Sequence, residues 1–178
     1  PIARTIVLDE GNFDGHLKIN EASSPDGWIR YTARDGFVLR NDRESPLIEL
    51  SRAKYVILDG LTLRGGHKDA IAVERCEHVR IVNCDIAGWG RIGTQRFDLD
   101  GKYYTEDGRA INWDSAIRIS RSLGTVVERC YIHDPVSTAN SWYYSHPSGP
   151  QAAGTDRPQS TVIRHNDLVG SDLHRWND

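Results

Sequence analysis

An internal repeat constrains the fold of this 178-residue chain more than any other feature of the sequence. Residues 47–65 align without a gap on residues 70–88, at an offset of 23. Residues 116–134 are a third copy, 46 positions later, and residues 152–170 a fourth, another 36 positions later. Apolar side chains recur in the same slots, such as Ile48, Ile71 and Ile117 in one slot and Leu63, Ile86, Ile132 and Leu168 in another.

Each copy contains three short groups in which apolar residues alternate with polar ones. Alternation at i and i+2 is the period of a β-strand, whereas a helix would place apolar residues at i, i+3 and i+4. Stacked copies let each strand pair in parallel with its equivalent in the next copy, about 4.8 Å away, and inward side chains then form ladders. The repeat therefore predicts an all-β fold, a parallel β-helix (solenoid) with three strands in each coil.

We predict a single β-helix domain over residues 1–178, with an irregular first coil over residues 1–46 and regular coils over residues 47–178. Strand candidates of the first coil are separated by turn-forming sequences and lie at residues 5–8, 17–19, 28–32 and 37–39. An irregular coil is typical of a solenoid end, where the core must be capped. Because the last coil stays open at residue 178, we expect the chain to be an N-terminal portion of a longer solenoid.

Two segments interrupt the period, at residues 89–114 and 135–151. Both are polar and aromatic, lack the ladder pattern and follow the third strand group of a copy. We expect them to be long loops that leave the scaffold at one corner, together with the tail at residues 171–178. Binding and catalytic residues are concentrated on such loops, so this corner is the predicted functional surface.

Composition and charge exclude several other classes of protein. The chain has 22 Lys and Arg against 25 Asp and Glu, a net charge of −3, without a long run of either sign. A surface for nucleic acid or for an anionic membrane needs a basic patch, and a membrane span needs roughly 20 consecutive apolar residues. We therefore expect no nucleic-acid partner and no membrane span.

The three cysteines, Cys76, Cys84 and Cys130, are predicted to be core residues. No CxxC pair is present, which argues against a disulfide framework and against a zinc site of the usual spacing. Cys84 and Cys130 occupy equivalent slots, and Asn166 takes this slot in the next copy. In-register stacking points both thiols the same way, which favours a mixed Cys/Cys/Asn ladder over a disulfide.

The segments DAIAVERCEHVRIVNCDI (residues 69–86) and DSAIRISRSLGTVVERCYI (residues 114–132) resemble the repeated strands of the right-handed parallel β-helix proteins of the pectate lyase-like superfamily. The opening segment TIVLDEGNFDGHLKINEASSPDGWIRYTA (residues 5–33) is similar to the first coil of these proteins. The resemblance covers nearly the whole chain and implies a right-handed β-helix. The superfamily holds polysaccharide lyases, glycoside hydrolases, epimerases, esterases and phage tailspikes, so the fold alone does not select a reaction.

This resemblance implies a secreted or periplasmic enzyme that acts on an anionic polysaccharide, either by β-elimination or by hydrolysis. The alternative is a non-catalytic carbohydrate-binding or structural β-helix module. Calcium is the cofactor that the resemblance implies, with Asp69 and Asp114 as ligands at the start of their strands, since this hard cation needs several oxygen ligands. Either Asp can instead cap a turn through its side chain.

The predicted catalytic residues are His146, His174, Asp114 and Lys102. Histidine moves protons near neutral pH, a lyase needs a base for the proton next to a uronate carboxylate, and a hydrolase needs paired carboxylates. The predicted substrate-binding residues supply aromatic faces for sugar rings and guanidinium groups for carboxylates, and they are Arg109, Tyr143, Tyr144, Arg175 and Trp176. Solvated loop charges and structural histidines are the alternatives for these residues.

Overall fold

The computed structural model describes residues 1–41, 44–91, 95–97, 102–104, 114–136, 140–145 and 160–169. These residues form β-strands and no helix, so the predicted all-β class is confirmed. The strands in chain order are β1 (Ile2–Leu8), β2 (Leu17–Ile19), β3 (Trp28–Ala33), β4 (Val38–Arg40), β5 (Ile48–Ser51), β6 (Lys54–Asp59), β7 (Thr62–Arg64), β8 (Asp69–Glu74), β9 (Glu77–Val82), β10 (Asp85–Ala87), β11 (Gln95–Phe97), β12 (Lys102–Tyr104), β13 (Ser115–Ser120), β14 (Thr125–Glu128), β15 (Tyr131–His133), β16 (Asn140–Ser145), β17 (Thr161–Arg164) and β18 (Asp167–Val169).

Three sheets contain the first, second and third strands of successive coils, and every neighbouring pair within them is parallel. The first sheet has the order β2-β5-β8-β13-β16, the second β1-β3-β6-β9-β14-β17, and the third β4-β7-β10-β15-β18. β11 and β12 form a separate antiparallel pair. Three parallel sheets, each joined by sequence-equivalent strands, are compatible with a parallel β-helix.

The predicted ladders are confirmed by the strand register. Ile71 has Ile48 on one side and Ile117 on the other, and all three side chains are fully buried. The second ladder pairs Leu63, Ile86, Ile132 and Leu168 in that order. Its first three side chains are buried, whereas Leu168, on the last strand, is 43% exposed. Burial of the aliphatic side chains in both ladders is the main source of stability, about 25 cal/mol for each Å² of apolar surface removed from water.

The last coil differs from the prediction. The segment at residues 135–151 was expected to be one loop, but β16 lies within it and pairs with β13 at an offset of 25. β17 keeps the predicted offset of 36 from β14. Aromatic residues have high β-propensity, and the sequence NSWYYS forms this strand with them instead of with aliphatic side chains. The extra residues of this coil therefore fall between its first and second strands.

The corner between the second and third strands, here named the short corner, has two residues in each of the last four coils. The first has a positive φ, at Gly60, Asn83, Arg129 and His165. The second faces the core side of the chain and is Leu61, Cys84, Cys130 or Asn166. Non-glycine residues adopt this left-handed conformation at a cost of about 1–2 kcal/mol, so the stacked backbone must offset the cost. A hydrogen bond from Asn83 N to Glu128 O (3.2 Å) does so, and Gly60 N makes the equivalent bond to Val82 O (3.0 Å).

Cys84 and Cys130 are buried free thiols, as predicted. The Asn166 side chain continues their ladder, because its Oδ1 accepts a hydrogen bond from Cys130 N (2.8 Å) and its Nδ2 donates one to Val127 O (3.1 Å). The asparagine thus satisfies backbone groups of the preceding coil.

Candidate functional site

The corner after the third strand, here named the long corner, carries the insertion at residues 88–114. Its described part is held by backbone hydrogen bonds between coils, from Gly88 N to Asp134 O (2.9 Å) and from Gly90 N to Gly66 O (3.0 Å). The Trp89 side chain is fully buried and extends the core to this corner. The chain therefore enters the insertion from a rigid base.

Asp114 and Arg91 lie at the two ends of residues 92–113. Arg91 donates three hydrogen bonds to the Asp114 carboxylate, from N (3.0 Å) and Nε (2.8 Å) to Oδ2 and from Nη2 (2.7 Å) to Oδ1. The Asp114 side chain is fully buried, and that of Arg91 is only 11% exposed. This ion pair closes the base of the insertion, so both oxygens of the predicted catalytic carboxylate bind a guanidinium group.

Asp69 and Arg118 form a second ion pair, on the neighbouring strands β8 and β13. Arg118 Nε donates to Asp69 Oδ2 (2.6 Å), and Ser115 N donates to Asp69 Oδ1 (3.2 Å). Burial raises the pKa of Asp69, against the opposing effect of the Arg118 guanidinium. The Arg118 side chain is 32% exposed, and among the described residues its two Nη groups have no hydrogen-bond partner. Arg118 is therefore a cation that a buried carboxylate holds in place and that still has donors to offer.

Tyr143 and Tyr144, two of the predicted substrate-binding residues, lie on β16 and not in a loop. Tyr143 is the register partner of Arg118, and Tyr144 that of Ile119. The structure thus brings Asp69, Arg118 and Tyr143 onto three adjacent strands of the first sheet.

The position of β16 also corrects the expectation of one shared corner. The strand starts beside Ser115, next to Asp114, and ends with Ser145 beside Ser120. The length of this strand is roughly 17 Å. The chain therefore leaves β16 at the opposite end of the strands from Asp114. Lys102 starts β12, opposite Phe97 in the antiparallel pair. Five predicted site residues lie outside the described residues, and they are Arg109, His146, His174, Arg175 and Trp176.

Sequence reasoning missed Arg118. Its register partner on β8 is Ala72, whose own partner on β5 is Glu49, so the row has no repeated residue type. The available signal was its position, on the strand that follows the insertion and three residues after the Ser115 that aligns with Asp69.

A second polar cluster lies at the long corner, on the third sheet. His133 Nε2 is 2.9 Å from Asp85 Oδ1, and His133 Nδ1 is 2.7 Å from Asp134 Oδ2. Arg64 binds the Asp85 carboxylate at 2.6 and 2.9 Å. Partial burial acts to raise the pKa of Asp85, but the hydrogen bonds from Arg64 and His133 outweigh it and hold this pKa below its usual value. Arg64, Asp85, His133 and Asp134 thus form one connected cluster of polar side chains.

The described residues contain no group of three His, Cys, Asp or Glu side chains that could hold a metal ion. Asp69 and Asp114, the predicted calcium ligands, do not fit such a site as placed, because arginines bind both carboxylates and calcium needs several free oxygen ligands. Calcium binding by this chain stays a prediction.

In the part of the chain that the structure describes, no helix is long and apolar enough to cross a membrane. Neither a protein-family model, nor a curated protein, nor a solved structure matches this sequence.

Proposed function

We propose that this chain is a right-handed parallel β-helix protein of the pectate lyase-like kind. We further propose that it acts on an anionic polysaccharide outside the cytoplasm, by β-elimination or hydrolysis. The substrate would lie over the outer face of the first sheet beside the long corner. One observation carries the proposal: the two Nη groups of Arg118 have no hydrogen-bond partner among the described residues, while buried Asp69 fixes the orientation of the guanidinium group.

A guanidinium group with free Nη donors matches the geometry of a carboxylate, which it can bind through two parallel hydrogen bonds. Asp69 binds the Nε side of Arg118, and no other residue in the described ranges binds the remaining edge of the fork, which would bind the ligand. Because Asp69 is buried, it orients the arginine without competing for the solvent side. These features support recognition of an acidic sugar.

The strand register supports a chain-like ligand. Glu49, Ala72, Arg118 and Tyr143 form one row across β5, β8, β13 and β16, spaced about 4.8 Å apart along the stack of coils. An extended polysaccharide parallel to this axis would meet one position of the row after another.

The binding of the Asp69 and Asp114 carboxylates to arginines bears on the reaction. Hydrolysis needs two carboxyl groups roughly 5–9.5 Å apart, one of them able to give up a proton. Asp69 and Asp114 are buried and bound to arginines, so neither of them is free to belong to that pair. A lyase needs only a base and a group that neutralises the uronate carboxylate, and Arg118 supplies the second of these. His146, His174 and Lys102 remain the proposed proton-transfer residues.

The second candidate is a binding module without catalysis. It is favoured by the same geometry, because the described corner contains a positioned binding group and no free acid and base pair.

Incubation with a panel of uronate and neutral polysaccharides separates these proposals. Ultraviolet absorbance of unsaturated sugar ends together with new reducing ends identifies a lyase, and reducing ends alone identify a hydrolase. Binding without cleavage identifies the module, and neither binding nor cleavage of any acidic polysaccharide contradicts the whole proposal.

The variant Arg118→Gln should weaken binding of the acidic substrate by about tenfold or more. Arg118→Lys keeps the charge and the Asp69 pair but loses the forked guanidinium group, so its affinity for the acidic substrate should be intermediate. Arg121→Gln is the matched control, since Arg121 is an exposed arginine just past the end of the same strand. Thermal melting of each variant checks that the fold is retained.

A further inference from the structure

The outer face of the second sheet combines apolar and cationic side chains. Arg30, Ile57, Arg80 and Val126 form one row across β3, β6, β9 and β14. The next row contains Asp59, Val82 and Glu128. A shallow groove of about 170 Å³ lies on these rows, with Ile57, Val82 and Val126 as its apolar lining. It is separate from the first sheet and from the long corner.

A ribbon of ion pairs and hydrogen bonds follows the groove on the side of the short corner. Arg30 Nε lies 3.3 Å from Asp59 Oδ2, and Asn83 Nδ2 donates to Asp59 Oδ1 (2.8 Å). Arg129 Nε donates to Asn83 Oδ1 (2.9 Å) and its guanidinium also pairs with Glu128. The ribbon fixes donors and acceptors along three successive coils.

Arg80 lies on the other side of this lining. Its side chain is exposed, and its guanidinium carbon is 5.5 Å from the centre of the Trp28 ring. Trp28 contacts Tyr55 edge to face at 5.3 Å, and Tyr55 stacks on His78 at 4.8 Å. Among the described residues, no carboxylate pairs with Arg80. The aromatic row therefore positions a cation whose hydrogen-bond donors remain available.

Charge on this face favours an anion. Four arginines lie in or beside the groove, Arg30, Arg80, Arg129 and Arg164, against the two carboxylates of Asp59 and Glu128. The surplus is positive although the whole chain has a net charge of −3. Electrostatic complementarity of this kind selects anionic ligands.

We propose that this groove is a second ligand site, which binds an acidic sugar unit on the outer face of the second sheet. A pyranose ring has a face of C–H groups for Ile57, Val82 and Val126, and its carboxylate would bind Arg80. Sugar hydroxyls both donate and accept hydrogen bonds, which matches the mixture of carboxylate, amide and guanidinium groups in the ribbon. An acidic peptide would satisfy Arg80 but would leave the acceptors Asp59 and Glu128 facing like charge.

The ligand class is the one proposed for the long corner, and to that extent the inference rests on the proposed function. The experiment therefore needs a local reporter. The indole N–H resonance of Trp28, assigned by its absence in Trp28→Phe, reports on the groove through Arg80. Full-length protein is titrated with trigalacturonate, with maltotriose as the neutral match and hexaglutamate as the acidic peptide.

Trigalacturonate should shift the Trp28 resonance, and Arg80→Gln should weaken the apparent affinity by about tenfold or more. Arg40→Gln removes the same charge from an exposed position on β4 of the third sheet and should leave the affinity unchanged. The shift should persist in Arg118→Gln, because that residue belongs to the other site.

No shift with trigalacturonate, an equal response to maltotriose, or tighter binding of hexaglutamate would each overturn the groove site. Loss of the shift in Arg118→Gln would do the same, since the signal would then come from the corner. Failure of the proposed function would give a different result. Neither cleavage nor Arg118-dependent binding would be seen, while the Trp28 response and its dependence on Arg80 would remain.

Discussion

The short corner and the long corner connect strands of the same stacked coils, yet different interactions hold them in register. The short corner has two residues in each of the last four coils, and it repeats one backbone conformation at Gly60, Asn83, Arg129 and His165. The long corner accepts four residues between β7 and β8 but 27 between β10 and β13. What keeps the second arrangement in register is a side-chain ion pair, Arg91 with Asp114, and not the backbone alone.

The difference shows where this fold can carry function. A corner that is held by stacked backbone bonds tolerates little change in length, because every coil must repeat it. A corner that is closed at its base by a buried ion pair can carry an insertion of any length beyond the pair. Arg118, whose Nη donors are unpaired within the described part of the chain, lies on the strand that follows that insertion.

The largest expected effect is on the pair that closes the long corner. Asp114→Ala should lower the free energy of unfolding by about 3–5 kcal/mol, because it leaves the nearly buried Arg91 guanidinium without its carboxylate. Urea denaturation of the full chain measures the change. Asp26→Ala, an exposed carboxylate in a turn, is the control and should stay within about 0.5 kcal/mol. A loss below 1 kcal/mol for Asp114→Ala would show that the insertion is held in another way.

Two glycines with positive φ compare the corners directly. A Cβ on Gly66 at the long corner would lie 2.5 Å from Asp69 O, whereas a Cβ on Gly60 at the short corner would meet nothing within 4 Å. Gly60→Ala should cost only the backbone term of about 1 kcal/mol, and Gly66→Ala about 2–4 kcal/mol because β8 must also move. Thermal melts of the two variants give the comparison, and equal shifts in Tm would contradict it.

The second residues of the short corner, Leu61, Cys84 and Cys130, form a ladder that ends in Asn166. Asn166→Ala removes hydrogen bonds to Cys130 N and Val127 O and should cost about 1–3 kcal/mol. Asn166→Asp keeps the acceptor for Cys130 N but loses the donor for Val127 O, so it should be destabilising by less than alanine above the pKa of the new carboxylate. Equal stability of Asn166→Ala and the native chain would mean that this coil adds nothing to the fold.

Much of the fold could be predicted from the sequence, because residues in equivalent slots of successive copies pair with each other. The gapless offset of 23 places Ile48 beside Ile71 with no further information. β16 was missed because its alternation is aromatic, and strand pairing with β13, not an aliphatic pattern, defines it. Asp59-Gly60 has the sequence of a hairpin turn, yet only Gly60 takes positive φ and the chain continues into the third sheet.

Less of the candidate site could be predicted, because its contacts cross between coils. Asp69 and Asp114 could be identified as acids at strand starts, but their partners lie 49 and 23 residues away in the sequence. Burial of both carboxylates follows from the register of β8 and β13 and from the closed base of the insertion. A sequence pattern gives residue types and spacing, whereas the protonation and availability of a carboxylate depend on such neighbours.

The smallest expected effect concerns pH and the charged cluster below the long corner. The pKa of Asp85 is lowered in the folded chain, so its ion pair with Arg64 and its hydrogen bond with His133 stabilise the fold above the ordinary aspartate pKa of about 4 and are lost as the pH falls through the lower folded value. Because the Asp85 side chain is 38% exposed, the pair with Arg64 should contribute only about 0.2–1 kcal/mol. Asp85→Asn should therefore lower stability slightly at pH 7 and flatten its decline below pH 4. Asp167→Asn, which changes an exposed acid on β18 of the same sheet, is the control. Parallel pH profiles for Asp85→Asn and the native chain would show that the cluster does not couple to folding.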